Sequence, residues 1–150
     1  VVLVEPEIPQ NTGNIGRTCV GTWCTLHLVG KLGFAITDRN LKRSGLDYWP
    51  NLDWIHHPTW DDWWKSVDDP SRLHFFETKH ERSIYQVQFK AGDWLVFGKE
   101  TVGFDQWILE KFSDQMVTIP VFGKIRSLNL ATAVAVAVYE GLRQLNFEPT

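Results

Sequence analysis

Five short runs of aliphatic, β-branched and aromatic residues recur along the chain: Val1–Val4, Leu26–Val29, Leu73–Phe76, Trp94–Phe97 and Met116–Pro120. Runs of this kind read as strands. The segments between them are long enough for helices, which are predicted near Thr12–Gly21, Asp38–Ser44, Trp60–Val67 and Asp105–Lys111. A last helix runs from about Leu128 to Leu145. Its start, Ala131 to Val138, is apolar on nearly every side, so more than one neighbour must bury it. Strands alternating with helices imply an α/β fold, a mostly parallel sheet flanked by helices. No repeat, low-complexity tract or long linker interrupts the pattern, and 150 residues suffice for one core, so 1–150 reads as a single domain.

Composition narrows the function classes. With 43% hydrophobic and 22% charged residues the chain has the make-up of a soluble globular protein. No apolar run approaches the ~20 residues of a membrane span, and the amino-terminal residues read as a strand rather than a signal peptide. The expected location is cytoplasmic. Cys19 and Cys24 are too few for a disulfide framework or a cysteine-rich zinc site, and they read as reduced, packed thiols. His56 and His57 are adjacent, would point to opposite faces of any strand that held them and make a poor ligand pair. No metal is expected. A net charge of −3 argues against gripping nucleic acid over the whole surface, but leaves room for a local basic patch at Arg39, Lys42 and Arg43. Among eight tryptophans, Trp49, Trp54, Trp60, Trp63 and Trp64 cluster in one stretch, as a core and interface group or as a base-stacking platform.

Three segments are richer in Gly, Asn and charge than a scaffold requires. Glu5-Pro6-Glu7-Ile8-Pro9-Gln10-Asn11-Thr12-Gly13-Asn14-Ile15-Gly16-Arg17 follows the first strand. Here Asn11 or Thr12 could cap a helix, and Arg17 would project beside the carboxyl ends of the strands, where α/β proteins bind ligands. In Trp94-Leu95-Val96-Phe97-Gly98-Lys99-Glu100-Thr101-Val102-Gly103 a strand ends in Gly-x-Glu-x-x-Gly. The spacing is not that of a dinucleotide fingerprint. Gly98 would let a flat ligand approach the backbone, and Glu100 could orient a polar group. Ile119-Pro120-Val121-Phe122-Gly123-Lys124-Ile125-Arg126-Ser127-Leu128-Asn129-Leu130 joins the last strand to the last helix. Ser127 is a possible cap, while a buried Asn129 amide would need partners.

Together these segments resemble the motifs of the SPOUT superfamily of RNA methyltransferases. Asn11-Thr12-Gly13-Asn14-x-x-Arg17 is similar to the first motif, Gly98-x-Glu100-x-x-Gly103 to the second and Ser127-Leu128-Asn129-Leu130 to the third. The opening Glu5-Pro6-Glu7-Ile8-Pro9 and Gly45-Leu46-Asp47-Tyr48 narrow the resemblance to the tRNA (cytidine/uridine-2'-O) methyltransferases of the wobble nucleotide. One departure is Val102, where close relatives often carry arginine. The resemblance implies a carboxyl-terminal trefoil knot, where general rules alone would predict an open sheet. It further implies S-adenosyl-L-methionine held by Phe76, Gly98, Glu100, Ile119, Ser127 and Leu128, several of them through backbone groups. Methyl transfer to a ribose 2'-oxygen in the anticodon region of tRNA, and a homodimer with each site at its interface, follow from the same likeness.

Arg17 is the implied catalytic residue, as a participant in deprotonation or as a phosphate clamp, with Glu100 and Asn129 holding it and the cofactor in place. Free arginine stays protonated at neutral pH, which favours the clamp. Alternatives remain open: an enzyme of the same class acting on ribosomal RNA or another tRNA position, a non-catalytic RNA binder, and a generic nucleotide-binding domain.

Overall fold

The computed structural model describes residues 1–36 and 47–146. The predicted helix Asp38–Ser44, the basic residues Arg39, Lys42 and Arg43, and Gly45 and Leu46 lie outside the described residues. Six strands, β1 (Val2–Val4), β2 (Leu26–Val29), β3 (Trp54–His57), β4 (Leu73–Phe76), β5 (Trp94–Phe97) and β6 (Met116–Val117), form one sheet in the order β3-β2-β1-β5-β4-β6. Every pairing is parallel. Helices α1 (Pro9–Thr22), α2 (Trp60–Trp64), α3 (Gln106–Lys111) and α4 (Leu130–Gln144) cover it.

Period-two alternation splits the core between the two faces of the sheet. In β1, Leu3 joins Ile15, Cys19, Val134, Ala137 and Val138 under α1 and α4. Val2 and Val4 join Trp63, Phe75, Ile108 and Phe112 under α2 and α3. The tryptophans resolve toward packing: Trp63 is fully buried, and Trp60 lies edge-on to it at 4.6 Å and to Trp107 at 4.9 Å.

Differences from the sequence reading have local causes. β3 was not among the predicted strands; it is an edge strand whose Ile55 and His56 are exposed, so it lacks a buried apolar run. β6 stops at Val117, short of Pro120, because Thr118 instead bonds to the segment Arg82–Ile84, its N–H donating to the Arg82 carbonyl at 2.8 Å. Helix α1 starts earlier than predicted, with Ile8 as N-cap and Pro9 in the first turn, where its missing N–H costs nothing. Asn11 and Thr12 therefore sit inside the helix and do not cap it. Likewise the cap of α4 is Asn129, whose side chain accepts from Ala131 N at 2.9 Å, and not Ser127. Asn129 is thus an exposed capping residue rather than a buried amide.

Candidate active site

The chain winds outward from β1 to β2 and β3, then crosses to the other side, where β4 is followed by β5 in the place beside β1. Loops leaving β1 and β5 diverge there, and the crevice at such a switch point is the usual ligand site of a parallel sheet. A cleft of about 350 Å³ opens at this position. Phe76, Gly98, Glu100, Ile119, Ser127 and Leu128, the residues expected to hold a cofactor, all line it, and so does Asn129.

Side-chain hydrogen bonds lace the three motifs together. The Glu100 carboxylate accepts from the backbone N–H of Glu7 at 2.8 Å and of Ile8 at 3.1 Å, and from Asn11 Nδ2 at 3.3 Å. Because Ile8 has no capping side chain, Glu100 supplies from another loop both the acceptors and the negative charge that a helix start favours. Glu7 returns the link, its carboxylate accepting from Thr101 N at 3.0 Å and Thr101 Oγ1 at 2.8 Å. Asn11, almost fully buried, accepts from Asn129 Nδ2 at 2.9 Å. Arg126 Nη2 donates to the Thr101 carbonyl at 3.2 Å. Thus Glu100 holds the start of α1, not Arg17.

The turn after β5 is unusually close. Lys99 and Gly103 exchange two backbone bonds at 3.0 Å, and Gly103 has φ +71, which favours glycine. A Cβ on Gly98 would lie 2.5 Å from the Gly103 carbonyl carbon and 2.7 Å from Phe104 N. Gly98 is therefore demanded by the turn itself, before any ligand approaches. Lys99 braces the same turn between Glu5 Oε2 at 2.7 Å and Asp105 Oδ1 at 2.9 Å, and these bonds hold its ammonium above the usual lysine range.

Arg17 lies apart from the cleft. It is exposed on α1, with Nη2 3.5 Å from Asp47 Oδ1 and its guanidinium carbon 5.2 Å from the centre of the Tyr48 ring. Tyr48 in turn donates its hydroxyl to the Gly13 carbonyl, and burial raises its pKa. Val102 is exposed at the tip of the second motif's turn.

Sequence reasoning missed Asn11 as the bridge between Glu100 and Asn129, and missed Glu77, Thr78 and Arg126 in the cleft wall. Glu77 Oε1 accepts from Thr78 N at 2.7 Å and Thr78 Oγ1 at 2.9 Å. Its position was a usable signal, since it is a charged residue immediately after a buried strand at the same sheet end as Gly98.

A parallel sheet with a cleft at its switch point, lined by both apolar and polar side chains, defines an α/β protein with a site of small-molecule size. More specifically, the chain belongs to the SpoU rRNA Methylase family, which it matches over residues 1–139. It is 45% identical over 148 residues to the tRNA (cytidine(34)-2'-O)-methyltransferase of Saccharophagus degradans, covering 98% of this chain and 96% of that one. A solved structure bearing on 2-OH methylation of C/U34 on tRNA superposes with TM-score 0.88 at 42% identity, covering 98% of this chain and 95% of the other. The SpoU methyltransferase AviRb of Streptomyces viridochromogenes, solved with AdoMet, shares the fold at TM-score 0.81 and 22% identity, covering 97% of this chain and 57% of that one.

Proposed function

We propose that this chain is an S-adenosyl-L-methionine-dependent enzyme that methylates the ribose 2'-oxygen of the wobble nucleotide, cytidine or uridine 34, of tRNA. The observation that carries the reading is the convergence of all three motif loops on one cleft, in a chain so similar to a tRNA (cytidine(34)-2'-O)-methyltransferase along its whole length.

The cleft suits this cofactor. Its volume falls in the range of small-molecule sites. Phe76, Ile119, Leu128 and Leu130 offer an apolar slot for a flat base, while Glu77, Arg126 and Ser127 offer polar groups to a ribose and a zwitterionic tail. The cofactor, when bound, supplies a methyl group already activated on a positively charged sulfur. The chain's own residues then contribute orientation and charge. Gly98 and Gly103 shape the wall. Glu100 and Asn129, through Asn11, keep the three loops in register, so that a nucleotide presented at the mouth meets a fixed geometry.

Arg17 carries the catalytic assignment, with Asn129 as its counterpart in the cleft wall. A guanidinium is protonated at neutral pH and cannot serve as the base. Its role is to clamp an RNA phosphate and steady negative charge on the 2'-oxygen. As Arg17 does not line the cleft of its own chain, the assignment requires a homodimer in which it serves the partner's cleft. The reading also includes a single domain over 1–150, a carboxyl-terminal segment threaded as a trefoil knot, no metal, and work in the cytoplasm. The described residues contain no helix long and apolar enough to cross a membrane.

The test is methyl transfer from labelled cofactor to unmodified tRNA, followed by mapping of 2'-O-methyl groups. Label at ribose 34 is expected. Label confined to another tRNA position, or to ribosomal RNA, would overturn the substrate assignment.

A further inference from the structure

Phe122, in the loop between β6 and α4, is the most exposed large hydrophobic side chain among the described residues, at 91%. The loop does nothing to shelter it. A Cβ on the neighbouring Gly123 would meet nothing within 4 Å, and Lys124 and Ile125 are exposed as well. Yet the loop is anchored at the cleft: Val121 and Arg126, on either side of Phe122, both line it. The stretch Val121–Ser127 carries two positive charges and no negative one, in a chain whose net charge is −3. Arg126 spends one hydrogen bond on the Thr101 carbonyl, which leaves most of its donors uncommitted.

We propose that Phe122 is a stacking platform for an unpaired nucleobase of the RNA substrate, with Lys124 and the free edge of Arg126 taking the flanking phosphates. The inference rests on the proposed function, because it places the acceptor ribose at the mouth of this cleft. A ribose held there brings its own base and its neighbours within reach of the loop. Bases inside a duplex are stacked on both sides, whereas an unpaired nucleotide offers a free face to an aromatic ring. An aromatic ring in a loop with two cations also matches the chemistry of RNA, with π-faces alternating with phosphates, better than that of an apolar partner.

The test uses the full chain with Phe122→Ala, Phe122→Leu and Phe122→Trp, assayed on tRNA at saturating cofactor. Loss of one base–aromatic stack should raise KM for tRNA about tenfold or more in Phe122→Ala. Phe122→Trp should restore it and Phe122→Leu should not, while affinity for S-adenosylhomocysteine and the sedimentation coefficient stay unchanged in all three. Wild-type kinetics in Phe122→Ala, full rescue by leucine, or conversion to monomers would each overturn the inference and leave the proposed function standing. Absence of both cofactor binding and methyl transfer in the unmodified protein would instead overturn the proposed function.

Discussion

A single methyl group separates Gly98 from alanine, and the structure has no room for it. The nearest atoms are backbone, at 2.5–2.8 Å, so no side chain can swing aside. Forcing the turn open costs about 1–3 kcal/mol, the scale of overpacking a tight site. Gly98→Ala should therefore lower the melting temperature and abolish binding of S-adenosylhomocysteine by calorimetry. Gly123→Ala, with nothing within 4 Å, should stay within about 0.5 kcal/mol of wild type and serves as the control. Normal affinity in Gly98→Ala would place the cofactor elsewhere. At this scale the motif residues were legible because Gly, Asn and Glu at strand ends are costly unless used. Their reasons were not. The sequence reading assigned Gly98 to ligand approach and Glu100 to Arg17, whereas Gly98 first serves the tight turn against Gly103 and Phe104, and Glu100 ties together loops some ninety residues apart, which no local pattern encodes.

Among the elements, strands with continuous apolar runs were readable because burial on both faces demands such runs. The edge strand β3 escaped, and it holds the protein's acid-sensitive pairing. His27 on β2 and His57 on β3 stack with ring centres 5.2 Å apart and share a 2.9 Å N···N contact between Nδ1 and Nε2. One ring must donate and the other accept, so the accepting imidazole must be neutral and the contact is lost when both are protonated. Burial pushes His27 down to about 4, helped by His57, and burial also lowers His57. In the unfolded chain imidazoles titrate near 6.5, so acid favours unfolding. Stability is full above about pH 6.5, falls progressively toward pH 4 and levels off below. His27 alone accounts for roughly 3–3.5 kcal/mol of that loss at ~1.4 kcal/mol per pKa unit. Denaturant unfolding at pH 7 and pH 4.5 should show the drop, and His27→Gln should shrink it. An undiminished drop in His27→Gln would assign the acid sensitivity to other groups.

At the scale of the whole molecule, the outward face of α4 and the exposed Arg17 bear on assembly. Helix α4 buries Val134, Ala137 and Val138 in its own protomer, so a charge at Val134 or Val138, which the apolar pattern alone suggests as a test of assembly, would break the core instead. The outward stripe is Thr132, Val136 and Tyr139, spaced i, i+4 and i+7, with Val136 38% and Tyr139 53% exposed. A two-fold axis through this stripe is the commonest way to cover it. Val136→Asp should then sediment as a folded monomer, with near-normal melting and little methyl transfer. A fully active monomer would sink the dimer. The stronger test asks whether Arg17 works across the interface. Arg17→Ala, at an exposed position, should keep its fold and cofactor affinity and lose turnover. Leu128→Arg should fill the cleft and lose turnover through the other half of the site. If each site joins Arg17 of one chain to the cleft of its partner, a mixed dimer of the two variants holds one intact site and one doubly broken site. Random re-pairing of equal amounts should then recover about a quarter of wild-type activity, half the dimers being mixed with one good site of two. Sites built within single chains would recover nothing on mixing, and that outcome would return Arg17 to its own protomer.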